Sequence, residues 1–192
     1  MGRGRLGERR YHRRMADLIE MTVDSIRVHM PTGQHVVILK EKSAERYLPI
    51  WIGINEANAI ALKITGMTPE RPITHDLLAN ILGAVDVDVD RIVVTSLANE
   101  VFYARILAHL DGRRPEIDSR PSDAIAVAVR VGAGIFVATD VLDKAGVLPE
   151  LDHEGALGET DEETTERLSK IRDWVNELNL PDLGGESPLS QS

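Results

Sequence analysis

Asp118-Ser119-Arg120-Pro121-Ser122-Asp123 places two carboxylates, a guanidinium and two hydroxyls side by side, and then runs into the apolar Ala124-Ile125-Ala126. Pro121 suits the first turn of a helix, where a missing N–H has no intrahelical partner to lose. The first N–H groups of such a helix are orphan donors carrying partial positive charge. Arg120 beside that terminus makes a corner able to hold a phosphate. The plainer reading is a helix cap: Ser122 and Asp123 satisfy the helix start, and Arg120 pairs with Asp118. A second block, Arg71-Pro72-Ile73-Thr74-His75-Asp76-Leu77-Leu78, repeats the pattern of Arg and Pro ahead of a helix start. Thr74 is expected as its N-cap, with Asp76 in the first turn where negative charge is favoured. His75 sits between opposing influences: the helix dipole disfavours its protonated form and Asp76 favours it.

These corners need elements to carry them, and the chain supplies those elements twice. Asn58-Ala59-Ile60-Ala61-Leu62-Lys63-Ile64 matches Asp123-Ala124-Ile125-Ala126-Val127-Ala128-Val129 at an offset of 65. At the same offset Ile26-Arg27-Val28 meets Arg91-Ile92-Val93, Val36–Lys40 meets Val101–Arg105, and Ile50-Trp51-Ile52 meets Pro115-Glu116-Ile117. Each unit reads as three strands and a helix, from β-branched and aromatic runs broken by Thr32-Gly33 or Asp111-Gly112, followed by longer Ala/Ile/Leu segments. A further helix is expected at about 74–84, a short strand at Ile135-Phe136-Val137-Ala138 and a helix near 139–145. The fold class is α+β: a duplicated β-β-β-α unit with mainly antiparallel strands, plus a C-terminal helical tail. Ile60, Leu62, Ile64, Ile125, Val127 and Val129 are the expected core. Glu56 and Asn58 lead the first repeat helix, and Pro121 and Asp123 the second. Rough two-fold packing brings those helix starts to one cleft or to opposite ends.

Composition narrows the function classes. The chain has 192 residues, 43% of them apolar, which is enough for one domain with tails. It has no cysteine, which excludes a disulfide framework, a zinc–thiolate site and a cysteine nucleophile. No apolar run reaches membrane-spanning length, so the expectation is a cytoplasmic protein with no membrane partner. Residues 1–14 hold six arginines and one acid. They read as a nucleic-acid-binding arm, or as a basic disordered leader ahead of a start at Met15, and the second is the expectation. Residues 15–149 form the domain. Residues 150–192 form an acidic tail whose one amphipathic helix carries Leu168, Ile171, Val175 and Leu178 on a single face. With the sheet edges needing cover, that helix leads to the expectation of a homo-oligomer.

Several motifs fail. Asp86-Val87-Asp88-Val89-Asp90 opens like a calcium loop but has Arg91 and Leu97 where that loop needs Gly and Glu. It reads instead as the wet face of an entering strand. There is no P-loop, no Rossmann glycine fingerprint and no nucleophile-elbow serine. Seven aromatic residues are too few for a broad base-stacking platform.

Leu48-Pro49-Ile50-Trp51-Ile52-Gly53, Glu56-Ala57, Arg71-Pro72-x-Thr74-His75-Asp76-Leu77, Phe102-Tyr103-Ala104 and Asp118-x-Arg120-Pro121-Ser122-Asp123-Ala124-Ile125-Ala126 occur in this order. Together they resemble the bifunctional nuclease family, the DNase–RNase domain, over residues about 18–149. The resemblance implies cleavage of both DNA and RNA and brings no catalytic assignment with it. Phosphodiester cleavage needs an activated water or hydroxyl, a clamp on the phosphate and charge relief at the leaving oxygen. His75, Asp76 and Glu56 are the expected catalytic groups; Arg71, Arg120 and Ser122 the phosphate-binding groups; Asp118 and Asp123 ligands for magnesium or manganese. All are expected around one concave surface. The expected function is a metal-assisted nuclease of low sequence specificity acting on nucleic acid. The alternative is a non-catalytic regulatory protein whose polar corners bind an anion or a partner. The net charge of −9 weighs against nucleic acid, since proteins that bind by neutralising phosphates are usually basic.

Overall fold

Seven strands and four helices build the structure, a computed structural model that describes residues 17–30 and 32–148. The strands are β1 (Leu18–His29), β2 (Gln34–Glu41), β3 (Tyr47–Ile52), β4 (Asp88–Ala98), β5 (Val101–His109), β6 (Glu116–Ser119) and β7 (Gly134–Ala138). The helices are α1 (Ile54–Ile64), α2 (Thr74–Ala84), α3 (Pro121–Val131) and α4 (Thr139–Ala145). The basic leader and the amphipathic tail helix lie outside the described residues.

One sheet takes the order β3-β2-β1-β7-β4-β5-β6. Each half is an antiparallel meander, β1-β2-β3 or β4-β5-β6, with its second strand in the middle. β7 lies between them, antiparallel to β1 and parallel to β4. The equivalent placement of β2 and β5 is what an internal duplication requires. The two halves differ at their first turn. β1 and β2 are joined through residues 30–33, whereas Asn99 and Glu100 alone join β4 to β5, both at positive φ as a two-residue hairpin turn demands.

That difference corrects the repeat. β2 begins at Gln34 and β5 at Val101; α1 runs from Ile54 to Ile64 and α3 from Pro121 to Val131. These boundaries match at an offset of 67, not 65. Asp123 therefore corresponds to Glu56 rather than to Asn58. Both occupy the third position of their helices, and Asp76 occupies the third position of α2.

The helices cover one face of the sheet. Val37, Leu39, Ile50, Ile92, Val94, Ile106, Ile135 and Val137 meet Ile60, Ile125, Val141 and Leu142 in a single buried cluster. Of the expected core, Ile60, Ile125 and Val127 are fully buried and Val129 packs at the margin. Leu62 and Ile64 depart from the expectation: Leu62 is half-buried and lines a cleft, and Ile64 at the end of α1 is exposed. α3 is the central helix, packed on α1, α2, β4, β5 and β7, which explains why it is apolar nearly all round. Arg120 and Asp123 at its start are thereby placed beside the N-termini of α1 and α2.

Candidate functional site

Three chain segments meet where β3 ends, β6 ends and α2 begins. β3 passes through Gly53 into α1, and β6 passes through Arg120 into α3; both linking residues are extended N-caps. Thr74 was expected to cap α2, but the N-cap is Ile73, and Thr74 is the first helical residue. Isoleucine has no side-chain acceptor, so the cap is made from the other side: the Asp76 carboxylate accepts the Ile73 N–H at 3.0 Å.

At the centre lies Asp123. Its Oδ1 accepts His75 Nε2 at 3.0 Å and Arg120 Nη2 at 3.1 Å, and its Oδ2 accepts Arg120 Nε at 2.6 Å. Arg120 Nη2 also reaches Glu56 Oε1 at 2.9 Å. One guanidinium thus ties together the two equivalent third-position acids of α1 and α3. Burial raises the pKa of Asp123, but the hydrogen bonds from Arg120 and His75 outweigh it and hold the carboxyl below its ordinary range. Glu56 and Asp123 together balance more than the single charge of Arg120, so the group is not a bare anion site. His75 is only 9% exposed. With Nε2 donating to Asp123, Nδ1 is the ring nitrogen left to exchange a proton.

A cleft of about 460 Å³ opens here, within the size range of small-ligand sites. Glu56, His75, Arg120 and Asp123 line it, with Asn55, Asn58, Ala59 and Leu62 along α1 and Ile73 and Thr74 from the start of α2.

The other sequence candidates lie elsewhere. Asp76 turns to Arg130, whose Nε donates to it at 2.6 Å. Arg130 also donates to the carbonyls of Ala59 and Ala126, so a side chain only 5% exposed ties α1, α2 and α3 together. Ser122 is buried beneath the helix start and does not line the cleft. Arg71 is exposed in the α1–α2 connection, outside the cleft and without an ion pair among the described residues. Asp118 pairs in register with Arg105 on β5, whose alternate residues Ala104 and Ile106 face the core, so Asp118 stands on the face opposite the described helices. The proposed metal pair, Asp118 and Asp123, is therefore split between two faces. Among the described residues no group of three or more His, Asp or Glu side chains is placed to hold a metal ion.

Two expectations follow from this geometry. A Cβ on Gly53 would collide with the Glu56 carboxylate, which folds back over the helix start. Gly53 has an ordinary φ of −70°, so the glycine is needed for space, not for backbone freedom. Gly53→Ala should displace Glu56 from Arg120 and lower site activity while changing stability by less than about 1 kcal/mol, the scale of one exposed ion pair. Activity and urea unfolding of the same variant check it.

The second expectation concerns acid. The Ile73 N–H, opposed by burial and aided by Arg130, holds Asp76 below its ordinary pKa. A depressed carboxyl stabilises the fold above its unfolded value near 3.9 and loses that contribution as pH falls through the folded value. The wild type should lose stability between about pH 5 and pH 2, and Asp76→Asn should show a shallower decline in that window. Urea midpoints measured across it test the sign.

Residues 37–150 match the family model described as the bifunctional nuclease domain. The chain belongs to the bifunctional nuclease domain family. Two uncharacterized proteins of Mycobacterium tuberculosis, from strains CDC 1551 and H37Rv, are each 39% identical to it over 158 residues, covering 82% of this chain and 94% of theirs. The match includes β3, all four helices and therefore every residue of the bifunctional nuclease domain's cleft. No helix among the described residues is long and apolar enough to cross a membrane.

Arg130 was missed by sequence reasoning. The available signal was a lone arginine in the otherwise apolar run Ala124–Val131, on a helix too apolar to be anything but buried.

Proposed function

We propose that this bifunctional nuclease domain cleaves phosphodiester bonds of DNA and RNA with low sequence specificity, using the His75–Asp123–Arg120 group. The observation that carries the proposal is the hydrogen-bond arrangement at Asp123. Its carboxylate fixes the imidazole through Nε2 and the guanidinium through Nε and Nη2. That leaves His75 Nδ1 to take a proton and Arg120 Nη1 to donate to a phosphate oxygen. His75 takes the proton of the attacking water, or of the 2′-hydroxyl on RNA. The new P–O bond forms as the old one breaks, and the leaving oxygen takes a proton from solvent. Glu56 positions Arg120.

Magnesium or manganese assistance fits these side chains poorly. Glu56 and Asp123 would face an ion only if Arg120 left both, and Asp118 is on the other face. No step is routed through a metal.

Labelled single-stranded RNA and DNA, incubated with highly purified protein in EDTA, magnesium or manganese, test the reading. Cleavage lost in parallel preparations of His75→Ala and Arg120→Ala is expected. Equal residual cleavage in all three proteins would identify a contaminant and favour the alternative, a non-catalytic regulatory protein using the same cleft.

The proposal includes self-association. β3 and β6 are the sheet edges, and Leu77 and Ile81 on α2 with Val85 at its C-cap leave an exposed apolar stripe. Light scattering at micromolar concentration should give a mass above that of one chain; a monomer mass removes this part.

A further inference from the structure

The cleft is not uniform along its length. Its charged end is at the helix starts. From there Asn55, Asn58, Ala59 and Leu62 follow one stripe of α1, spanning about 10 Å at the helical rise. Ile73, at the start of α2, lines the same cleft. The side-chain amides of Asn55 and Asn58 make no hydrogen bond to another described residue, and both residues are exposed. The floor at Ala59 is buried, and Leu62 and Ile73 are half-buried walls. An amide offers a donor and an acceptor together, the pairing that a nucleobase edge presents. Apolar walls suit the faces of a flat ring. A second phosphate does not suit this end, since no cation lines it.

We infer that this end of the cleft takes one unpaired nucleobase, with the attached phosphate at Arg120. The inference rests on the nuclease reading for its phosphate and names the substrate class: single-stranded nucleic acid. A base held in a duplex has its hydrogen-bonding edge occupied and its faces stacked, so it must leave the helix to enter. Asn58 reads the base edge, and Leu62 and Ile73 flank its ring.

Binding of adenosine 5′-monophosphate and of ribose 5-phosphate to the full chain, by isothermal titration, tests it without requiring turnover. The nucleotide should bind at least roughly tenfold more tightly than the sugar phosphate. Asn58→Leu should remove roughly that factor, the scale of a lost buried hydrogen bond pair, and leave sugar phosphate binding and melting temperature unchanged. Thr74→Val serves as a second variant at the start of α2, with a smaller loss expected. Equal affinity for the two ligands overturns the inference, as does selectivity that survives Asn58→Leu. Cleavage of single strands and duplexes at equal rates also overturns it while leaving the nuclease reading standing. Selective nucleotide binding without any cleavage does the reverse: the base site stands and the nuclease reading falls.

Discussion

Replacing Arg130 with methionine is expected to destabilise the fold by about 3–5 kcal/mol, the range seen when one partner of a buried ion pair is removed. Methionine keeps much of the volume, so the loss isolates the guanidinium. Three acceptors then lose one of their donors: the Asp76 carboxylate and the carbonyls of Ala59 and Ala126. Asp76 retains the Ile73 N–H, which keeps the cap of α2 but not its link to α3. Asp76→Asn should cost a similar amount, because Arg130 stays charged at 5% exposure and keeps only the two carbonyls and a neutral amide as acceptors. Urea unfolding of the two single variants and the double variant measures the coupling. A loss under about 1 kcal/mol for Arg130→Met would mean that the ion pair is dispensable.

The second large effect is catalytic. His75→Ala should lower kcat by about 10²–10⁴-fold, the usual worth of a positioned general base. Arg120→Ala should lower it by a similar factor, since removing one preorganised donor from a developing charge costs about 10²–10³-fold. The pair should be far from additive, because Asp123 orients both groups and loses a partner in either variant. Asp123→Asn separates orientation from charge. It keeps the shape, yet its NH₂ only donates, which leaves one oxygen to accept where two served His75 and Arg120, so kcat should fall while nucleotide binding changes little. Steady-state kinetics on a short labelled RNA check all of these. Full activity in His75→Ala would end its role as base.

Much of the fold was legible in the sequence. Alternating β-branched residues and long Ala/Ile/Leu segments mark every strand and helix that the sheet contains, because burial on one face imposes those periods. The convergence of Glu56, His75, Arg120 and Asp123 on one concave surface was expected from the resemblance that keeps both blocks together, since no local pattern states which helix starts face each other. Three errors had physical causes. A gapless offset of 65 paired Asp123 with Asn58, because Ala59-Ile60-Ala61 and Ala124-Ile125-Ala126 share a run that the fold does not superpose; the strand and helix boundaries give 67 and match Asp123 with Glu56. Asp118 was grouped with the helix-start cluster because β6 runs on to Ser119, beyond the expected strand. Strand alternation then sends its side chain to the other face. Asp76 was assigned to chemistry although its environment is a strut; its partner Arg130 lies fifty-four positions away and nothing local announces it.

The place of β7 bears on how the molecule is made. The two meanders consist of neighbouring strands and can pair as soon as they leave the ribosome. Neither can join the other until Gly134–Ala138 arrives, since β1 and β4 meet only through that strand. The contacts that close the sheet are thus the most distant in sequence, Leu18 with Ala138 among them, and such contacts form slowly. Until then each half-sheet presents a naked inner border, and nascent chains in proximity can pair through those borders instead of with their own last strand. Synthesis that stalls before Gly134 would leave a sticky half-product, so the vulnerable interval in the life of this protein lies before release, not after it.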